Sequence, residues 1–393
     1  MLYLDTSSAA RSPSNCGISR TMRRLYEALR QLGPVIPLVW SRHYGAYCTL
    51  AAFEQRLLER PFARHSRPMT DPSVVGRQLR SSLRRWIHHR RNALPLDQLC
   101  QPGHTLLMPD MCDADRAAWL QRAAGGGRLR MVAVFHDAVP FQRPDLTPGF
   151  RRTDFDDYLR CLARFPLIVT CSNESRDALL ACWRDLGCAP ARIIVELWPA
   201  DFGPRGQADP SRFEKSQVLY VSTLDPRKNH LTLFAACERL WNEGIHFELE
   251  LIGRQLADAR ASKPVIDGIH RLKEEGRPVQ WHGHVSDDAL MAAYRQCSFT
   301  VYPSLIEGFG LPIHESLWFG RPCICGTNGA LGEVSAGGAG LTCDQTQVDS
   351  LAAAMRQLLT DRVLYVRLSE EAQRRPFRSW LDYARALRSH LGE

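Results

Sequence analysis

The stretch FTVYPSLIEGFGLPIHESLWFGRPCIC, residues 299–325, decides the architecture. An apolar run of strand length ends near Ser304, a loop carries Gly308 and Gly310, a helix begins near Leu311, and a second short apolar run holds Cys323 and Cys325. Pro312 fits a first helical turn, where its missing N–H has no partner to lose. Strand, loop, helix and strand in this order form the repeat of a parallel sheet covered by helices. Upstream, QVLYVST, HLTLFAACERLWNEG, FELELIG and VQWHG alternate in the same way, and SDDALMAAYRQC adds a helix with Ser286 as N-cap. The first half keeps the rhythm in MLYLD, ISRTMRRLYEALRQL, VIPLVW, TLLMPD, RMVAVFHD and PLIVTCS. The alternation predicts an α/β protein of two Rossmann-like, doubly wound parallel-sheet domains. The first spans 1–203 and the second 204–376, and an amphipathic C-terminal helix over 377–393 packs through Trp380 and Leu381. DFGPRGQADPSRFEKSQ is the linker, and residues 41–104 fit neither half of the alternation.

At 393 residues, 45% apolar and 23% charged, the chain is long enough for two cores and excludes disorder, collagen and coiled coil. No run approaches the roughly 18 apolar residues that a membrane span needs, and the N-terminus reads as strand and loop instead of a leader. The thirteen cysteines contain no CxxC pair. A cytoplasmic location is expected, with Cys323 and Cys325 as apolar fillers on one strand face. The net charge of +8 is uneven: residues 1–200 carry +10 and the remainder −2.

Two motifs carry chemistry. Around Glu307 and Glu315, the βα turn with Gly308, Gly310 and Pro312 aims backbone amides and a helix N-terminus at an anion. Glu315, in the first helical turn, suits a ribose diol, and Glu307 in the loop suits a sugar hydroxyl. In STLDPRKNH, Arg227 and Lys228 follow the first strand of the same domain, where a doubly wound sheet places ligands. A guanidinium fork and an ammonium together suit a diphosphate. No G-x-G-x-x-G follows either first strand, which disfavours a nicotinamide dehydrogenase.

The E-x7-E pair, PRKN at 226–229, LIG at 251–253, FHD at 135–137, the Ser172/Ser175 segment and GI-R near the start resemble retaining glycosyltransferases of family 4, which have the GT-B fold. The likeness is strongest over 215–393, and it implies that the C-terminal helix over 377–393 returns to the first domain. It implies that Lys228 and Arg227 hold the donor diphosphate together with Gly310, Leu311 and Gly17. Glu307, Phe309 and Gly310 would hold the donor sugar, and Glu315 the ribose. Gly253, Gly283, His284 and Val285 would line the base pocket. His136 would face the reaction centre beside Lys228 and Glu307, with Arg20 and Asp137 on the acceptor side. A family arginine is replaced in Ser222-Thr223-Leu224, and Arg227 stands in for it. The resemblance also implies chemistry with no metal and no cofactor beyond the nucleotide sugar. Looser features resemble bacterial mannosyl- and rhamnosyltransferases of surface polysaccharide synthesis. GDP-mannose is the leading donor, ahead of dTDP-rhamnose and a UDP-sugar, and the acceptor is a glycan or lipid-linked glycan. A sugar-nucleotide 2-epimerase and a non-catalytic sugar-nucleotide binder are the alternatives.

RQLRSSLRRWIHHRR, residues 77–91, holds six arginines and no acid, with Leu79, Leu83, Trp86 and Ile87 at helical spacing. Two readings stand. Such a helix lies on an anionic membrane, making the protein peripheral on the inner face, or it packs by its Leu/Trp face on its own domain. No nucleic-acid module accompanies the charge, so no nucleic-acid partner is expected.

Overall fold

Two sheets organise the computed structural model, which describes residues 1–12, 17–59, 72–147, 149–256 and 258–392, without the side chains of 72–81. The first comprises β1 (Leu2–Asp5), β2 (Val35–Ser41), β3 (Ala46–Thr49), β4 (His104–Met108), β5 (Leu129–Phe135), β6 (Leu167–Thr170) and β7 (Ile193–Val195). Its order is β3-β2-β1-β4-β5-β6-β7. The second comprises β8 (Gln217–Val221), β9 (Glu248–Ile252), β10 (Val279–Trp281), β11 (Phe299–Tyr302), β12 (Cys323–Gly326) and β13 (Gly340–Cys343), in the order β10-β9-β8-β11-β12-β13. Both are the doubly wound Rossmann-like arrangement that the alternation predicts. The chain switches sides of the sheet between β1 and β4 in the first, and between β8 and β11 in the second.

Central strands β1, β6, β11 and β12 are buried throughout, because helices cover both faces. Cys323 and Cys325 are fully buried in the same core, as two positions on one strand face must be. The helix Gly17–Leu32 buries Met22, Leu25, Tyr26 and Leu29, a 3.6-residue stripe, against its sheet. Ser286 caps the helix Asp287–Gln296 by accepting from Ala289 N at 3.2 Å.

The segment 41–104 contains a hairpin, two helices and a short helical turn. Its strand β3 runs antiparallel to β2, with Trp40 opposite Tyr47, and is the antiparallel exception in an otherwise parallel sheet. AYCT is too short to show a period, which is why the alternation misses it. The basic segment lies on the helix Pro72–Asn92. Its packed side carries His89, bonded to buried Glu54 at 2.9 Å, and His88, which reaches Thr49. Leu83, Trp86 and Ile87 are instead exposed (59%, 40% and 40%), so the Leu/Trp face is not what holds this helix to the domain. Leu79 and Cys16 lie outside the described side chains.

The chain passes between the two sheets twice, once over 196–216 and again near 375–380. Arg205 laces the two passages by donating to the carbonyls of Gln373 and Arg375, each at 2.7 Å, and Ala208 N donates to Gln373 Oε1 at 2.8 Å. The final helix, Trp380–Leu391, starts with a capping box from Ser379 and Asp382 and packs on the helix Gly17–Leu32. Arg378 and His390 both reach Glu196, at 2.5 and 2.9 Å. Trp380, Tyr383, Ala384, Leu387 and Leu391 form its buried stripe, and Leu381 is half-buried. No helix among the described residues is long and apolar enough to cross a membrane.

Leu387 is fully buried in this contact. Leu387→Ala should cost about 2–5 kcal/mol, read as a lower urea midpoint; an unchanged midpoint would show that the helix does not hold the two halves together.

Candidate functional site

The turn after β8 is fixed by its own residues. Asp225 Oδ1 accepts from Arg227 N at 2.9 Å, Asn229 closes the turn in a left-handed conformation, and Tyr220 OH donates to the Lys228 carbonyl. This aims Arg227 and Lys228 towards the end of β11. There Glu307 gathers four side chains. Its Oε1 accepts from Lys228 Nζ, from Tyr302 OH at 3.0 Å and from Ser304 Oγ at 2.5 Å, while Oε2 faces Arg227 Nη1 at 3.2 Å. Tyr302 OH in turn accepts from Lys228 Nζ at 2.8 Å.

Burial alone would raise the Glu307 carboxyl, but Arg227, Lys228 and the hydrogen bonds outweigh it and hold the pKa at about 2. Burial also works against the Arg227 charge; Glu307, Asp137 and Asp225 more than offset it, and its pKa is raised. For Lys228 burial prevails over Glu307, and its pKa is lowered.

Glu315 lies in the second turn of the helix Leu311–Trp318, one turn later than the sequence suggests because the helix begins at Leu311, and is 3% exposed. Its Oε2 accepts from Tyr294 OH at 2.8 Å, and its Oε1 pairs with Arg20, which reaches across from the helix Gly17–Leu32. The Arg20 guanidinium lies 4.2 Å above the Phe202 ring. Beside them, Gly253 N donates to Gly283 O at 2.8 Å. A Cβ on Gly253 would stand 1.6 Å from the Ser222 carbonyl, so this wall closes only around glycine.

The first domain supplies the facing wall. His136 Nε2 lies 2.7 Å from the Pro109 carbonyl, which can only accept, so this nitrogen carries the proton. Nδ1 is buried and has no partner among the described residues. Gly308 presses against the same residue, since a Cβ there would stand 2.1 Å from the His136 carbonyl. Ser172 Oγ donates to Gly308 O at 2.6 Å and Ser175 Oγ to His136 O at 2.6 Å. Glu333 adds a carboxylate from the second domain to the N-terminus of the helix Asn173–Asp185, accepting from Asn173 N at 2.9 Å and Glu174 N at 2.6 Å.

One cavity of about 560 Å³ runs between these walls. Gly17, Arg20, His136, Asp137, Arg227, Lys228, Gly253, Gly283, His284, Val285, Glu307, Phe309, Gly310, Leu311 and Glu315 all line it, so the structure brings every expected site residue together. Phe150, Trp198, Arg254 and Tyr302 line it as well and were not expected. Tyr302 had a signal within the opening stretch: it stands two positions before Ser304, and both reach the same oxygen of Glu307. Tyr294 and Phe202, which steady Glu315 and Arg20, lie in other segments and carried none. No cluster of three or more metal-binding side chains occurs among the described residues. Chemically, the cavity offers a cationic, amide-rich end for an anion, a buried carboxylate for hydroxyls, and a histidine acceptor opposite.

Comparison with known proteins accords with this geometry. Residues 207–375 match the family described as Glycosyl transferases group 1. The chain is similar to O-antigen chain mannosyltransferase B of Escherichia coli, 34% identical over 248 residues that cover 59% of this chain and 62% of that one. Serotype-specific mannosyltransferase WbdA of Escherichia coli is 26% identical over 215 residues, half of this chain and 25% of that one. The chain thus spans under two thirds of the first relative and about a quarter of the second. Anabaena HepE, solved in complex with UDP and glucose, superposes over 100% of this chain and 99% of its own, with a TM-score of 0.66 at 16% identity. The fold is GT-B, and the chain resembles the family 4 glycosyltransferases of surface polysaccharide synthesis.

The depressed Glu307 pKa has a sign that can be checked. Its stabilisation is complete above the ordinary value of 4.5 and is lost as pH falls towards about 2. The loss is on the order of 3 kcal/mol over that window. Glu307→Gln should flatten the acid limb of the stability curve between these values in urea titrations at stepped pH. An acid limb identical to wild type would show that Glu307 is not the paired carboxylate.

Proposed function

We propose that the protein is a retaining hexosyltransferase that moves mannose from GDP-mannose to a glycan or lipid-linked glycan in polysaccharide assembly. One observation carries this reading: Arg227, Lys228, the N-terminus of the helix Leu311–Trp318, its Glu315, and His136 of the other domain all line one cavity. The spacing of charge suits a nucleotide diphosphate, with anionic phosphates at the cations and a ribose diol at Glu315. The mannosyltransferase relatives favour mannose as the sugar, and GDP as its carrier is part of the proposal.

In the reaction, the bond between the sugar anomeric carbon and the phosphate oxygen breaks with its electron pair going to the phosphate. Arg227, Lys228 and the amides of Gly310 and Leu311 hold that charge. The acceptor hydroxyl attacks from the same face and its proton passes to the departing phosphate oxygen, so configuration is retained without a protein nucleophile. Glu307 keeps both cations fixed before the diphosphate arrives, which removes reorganisation from the charge-separating step. His136, with its proton held by Pro109, enters as an acceptor for a sugar hydroxyl through Nδ1. No resident metal or cofactor takes part.

GDP-mannose should raise the melting temperature, ahead of dTDP-rhamnose, UDP-glucose and UDP-N-acetylglucosamine, and Glu315→Ala should abolish the shift. Lys228→Ala should slow GDP release about 10²- to 10³-fold, and EDTA should leave the rate unchanged. Product NMR should give the α-mannoside from the α-linked donor. Turnover near wild type in Lys228→Ala would overturn the assignment, and a free 2-epimeric nucleotide sugar would identify an epimerase.

The exposed Leu83, Trp86 and Ile87, flanked by exposed Arg84, Arg90 and Arg91, suit the headgroup boundary of an anionic membrane. The protein should pellet with phosphatidylglycerol vesicles at low salt, and the double variant Trp86→Ser, Ile87→Ser should stay in the supernatant. Equal pelleting of both would rule this helix out as the contact.

A further inference from the structure

The carboxylate assigned to the ribose already has partners at both oxygens. Tyr294 OH donates to Glu315 Oε2 at 2.8 Å, and Arg20 of the first domain pairs with Oε1. The Arg20 side chain is 12% exposed and rests in a seat made by the second domain and the first passage between the domains. Phe202 lies under the guanidinium at 4.2 Å, Phe319 packs edge-on against Phe202 with centroids 6.2 Å apart, and Tyr294 stacks on Phe319 at 5.5 Å. Tyr294 therefore serves both sides of the seat, through its ring and through its hydroxyl. The helix that carries Arg20 meets the other domain at its own first residue, where a Cβ on Gly17 would lie 3.5 Å from Leu311.

A guanidinium and a vicinal diol make the same demand on a carboxylate. Each brings N–H or O–H donors to its oxygens, and the guanidinium adds charge. Tyr294 belongs to the body of the second domain and keeps Oε2, so Oε1 is the oxygen over which Arg20 and a diol compete. Desolvation and the aromatic floor both favour Arg20 there. The phosphate end of the cavity is independent of this contest. Arg227 and Lys228 pair with Glu307 and not with Glu315, so phosphates are held whether or not Arg20 moves.

We propose that Arg20 is an internal competitor of the donor ribose. Its guanidinium and the ribose diol are alternative partners of Glu315 Oε1, and a nucleotide binds by exchanging one for the other. The exchange weakens by a common factor every nucleotide that uses Glu315, and leaves untouched a nucleotide that has no diol. Affinity for the donor and for the released nucleoside diphosphate is lowered together, so the product is not held after transfer: Arg20 retakes Glu315 as it leaves. The proposal rests on the transferase reading for the part that Glu315 plays, while the Arg20–Glu315 pair is measured without any ligand.

Isothermal titration with GDP and with 2′,3′-dideoxy-GDP is the test, and UDP with its dideoxy analogue is the second pair of probes. Arg20→Gln should tighten GDP about tenfold, the worth of one hydrogen bond to a charged group, and leave the dideoxy analogue unchanged. Arg20→Lys, which keeps a charge beside Glu315 without the planar fork, should tighten GDP less. GDP affinity in Arg20→Gln equal to wild type would overturn the competitor. Weaker affinity would overturn it too, by making Arg20 a ligand of the nucleotide, and so would equal tightening of GDP and its dideoxy analogue. The pair itself is read by a double-mutant cycle in urea: the midpoint losses of Arg20→Gln and Glu315→Gln should exceed in sum the loss of the double variant. Additive losses would show that the two residues do not meet in solution, and would overturn the proposal while nucleotide binding, and with it the transferase reading, still stood. The same pattern with UDP in place of GDP would support the competitor and change only the donor base. No nucleotide binding by wild type, with the cycle non-additive, would strike the transferase reading and take the competitor with it.

Discussion

Three charges buried together at Glu307 set the terms for the rest of the cleft. Removing a carboxylate, an ammonium and a guanidinium from water costs several kcal/mol per ion unless each finds partners. Here both Glu307 oxygens are occupied by Lys228, Tyr302, Ser304 and Arg227. Those partners come from the turn after β8 and the end of β11, so the two central strands of the second sheet must stay in register for the charges to match. An incoming anion therefore meets two cations that Glu307 already holds in place.

The second constraint is spatial. Gly308 brings the backbone of the Glu307 loop against His136, and the hydroxyls of Ser172 and Ser175 bind the two carbonyls that result. A side chain at 308 would hold the two domains apart by its own width. The reacting groups of opposite domains are therefore set by a backbone-to-backbone contact, which tolerates less movement than a contact between long side chains.

Local strings carried most of the fold and the donor side of the cleft. Glu307 and Glu315 stand on one βα unit, and Arg227 and Lys228 on another, so the local motifs around them were enough to single them out. What stayed hidden depends on distant segments. Arg20 meets Glu315 across 295 positions, and no pattern near either residue announces the other. Strand β3 is four residues long and antiparallel, so neither the βα rhythm nor a strand period exposes it. The exposure of Leu83, Trp86 and Ile87 was open for a similar reason: helical spacing gives a stripe but not the side that faces the protein. His88 and His89 decide that, through Thr49 and Glu54.

The chain passes between its two domains twice, and Arg205 and Gln373 tie the passages to each other. One covalent passage would let a domain swing and twist about a point. Two passages bound side by side resist that twist. The final helix, carried across by the second passage, is seated on the helix that holds Arg20, so any widening of the cleft would part Arg20 from Glu315 while leaving that helix pair whole.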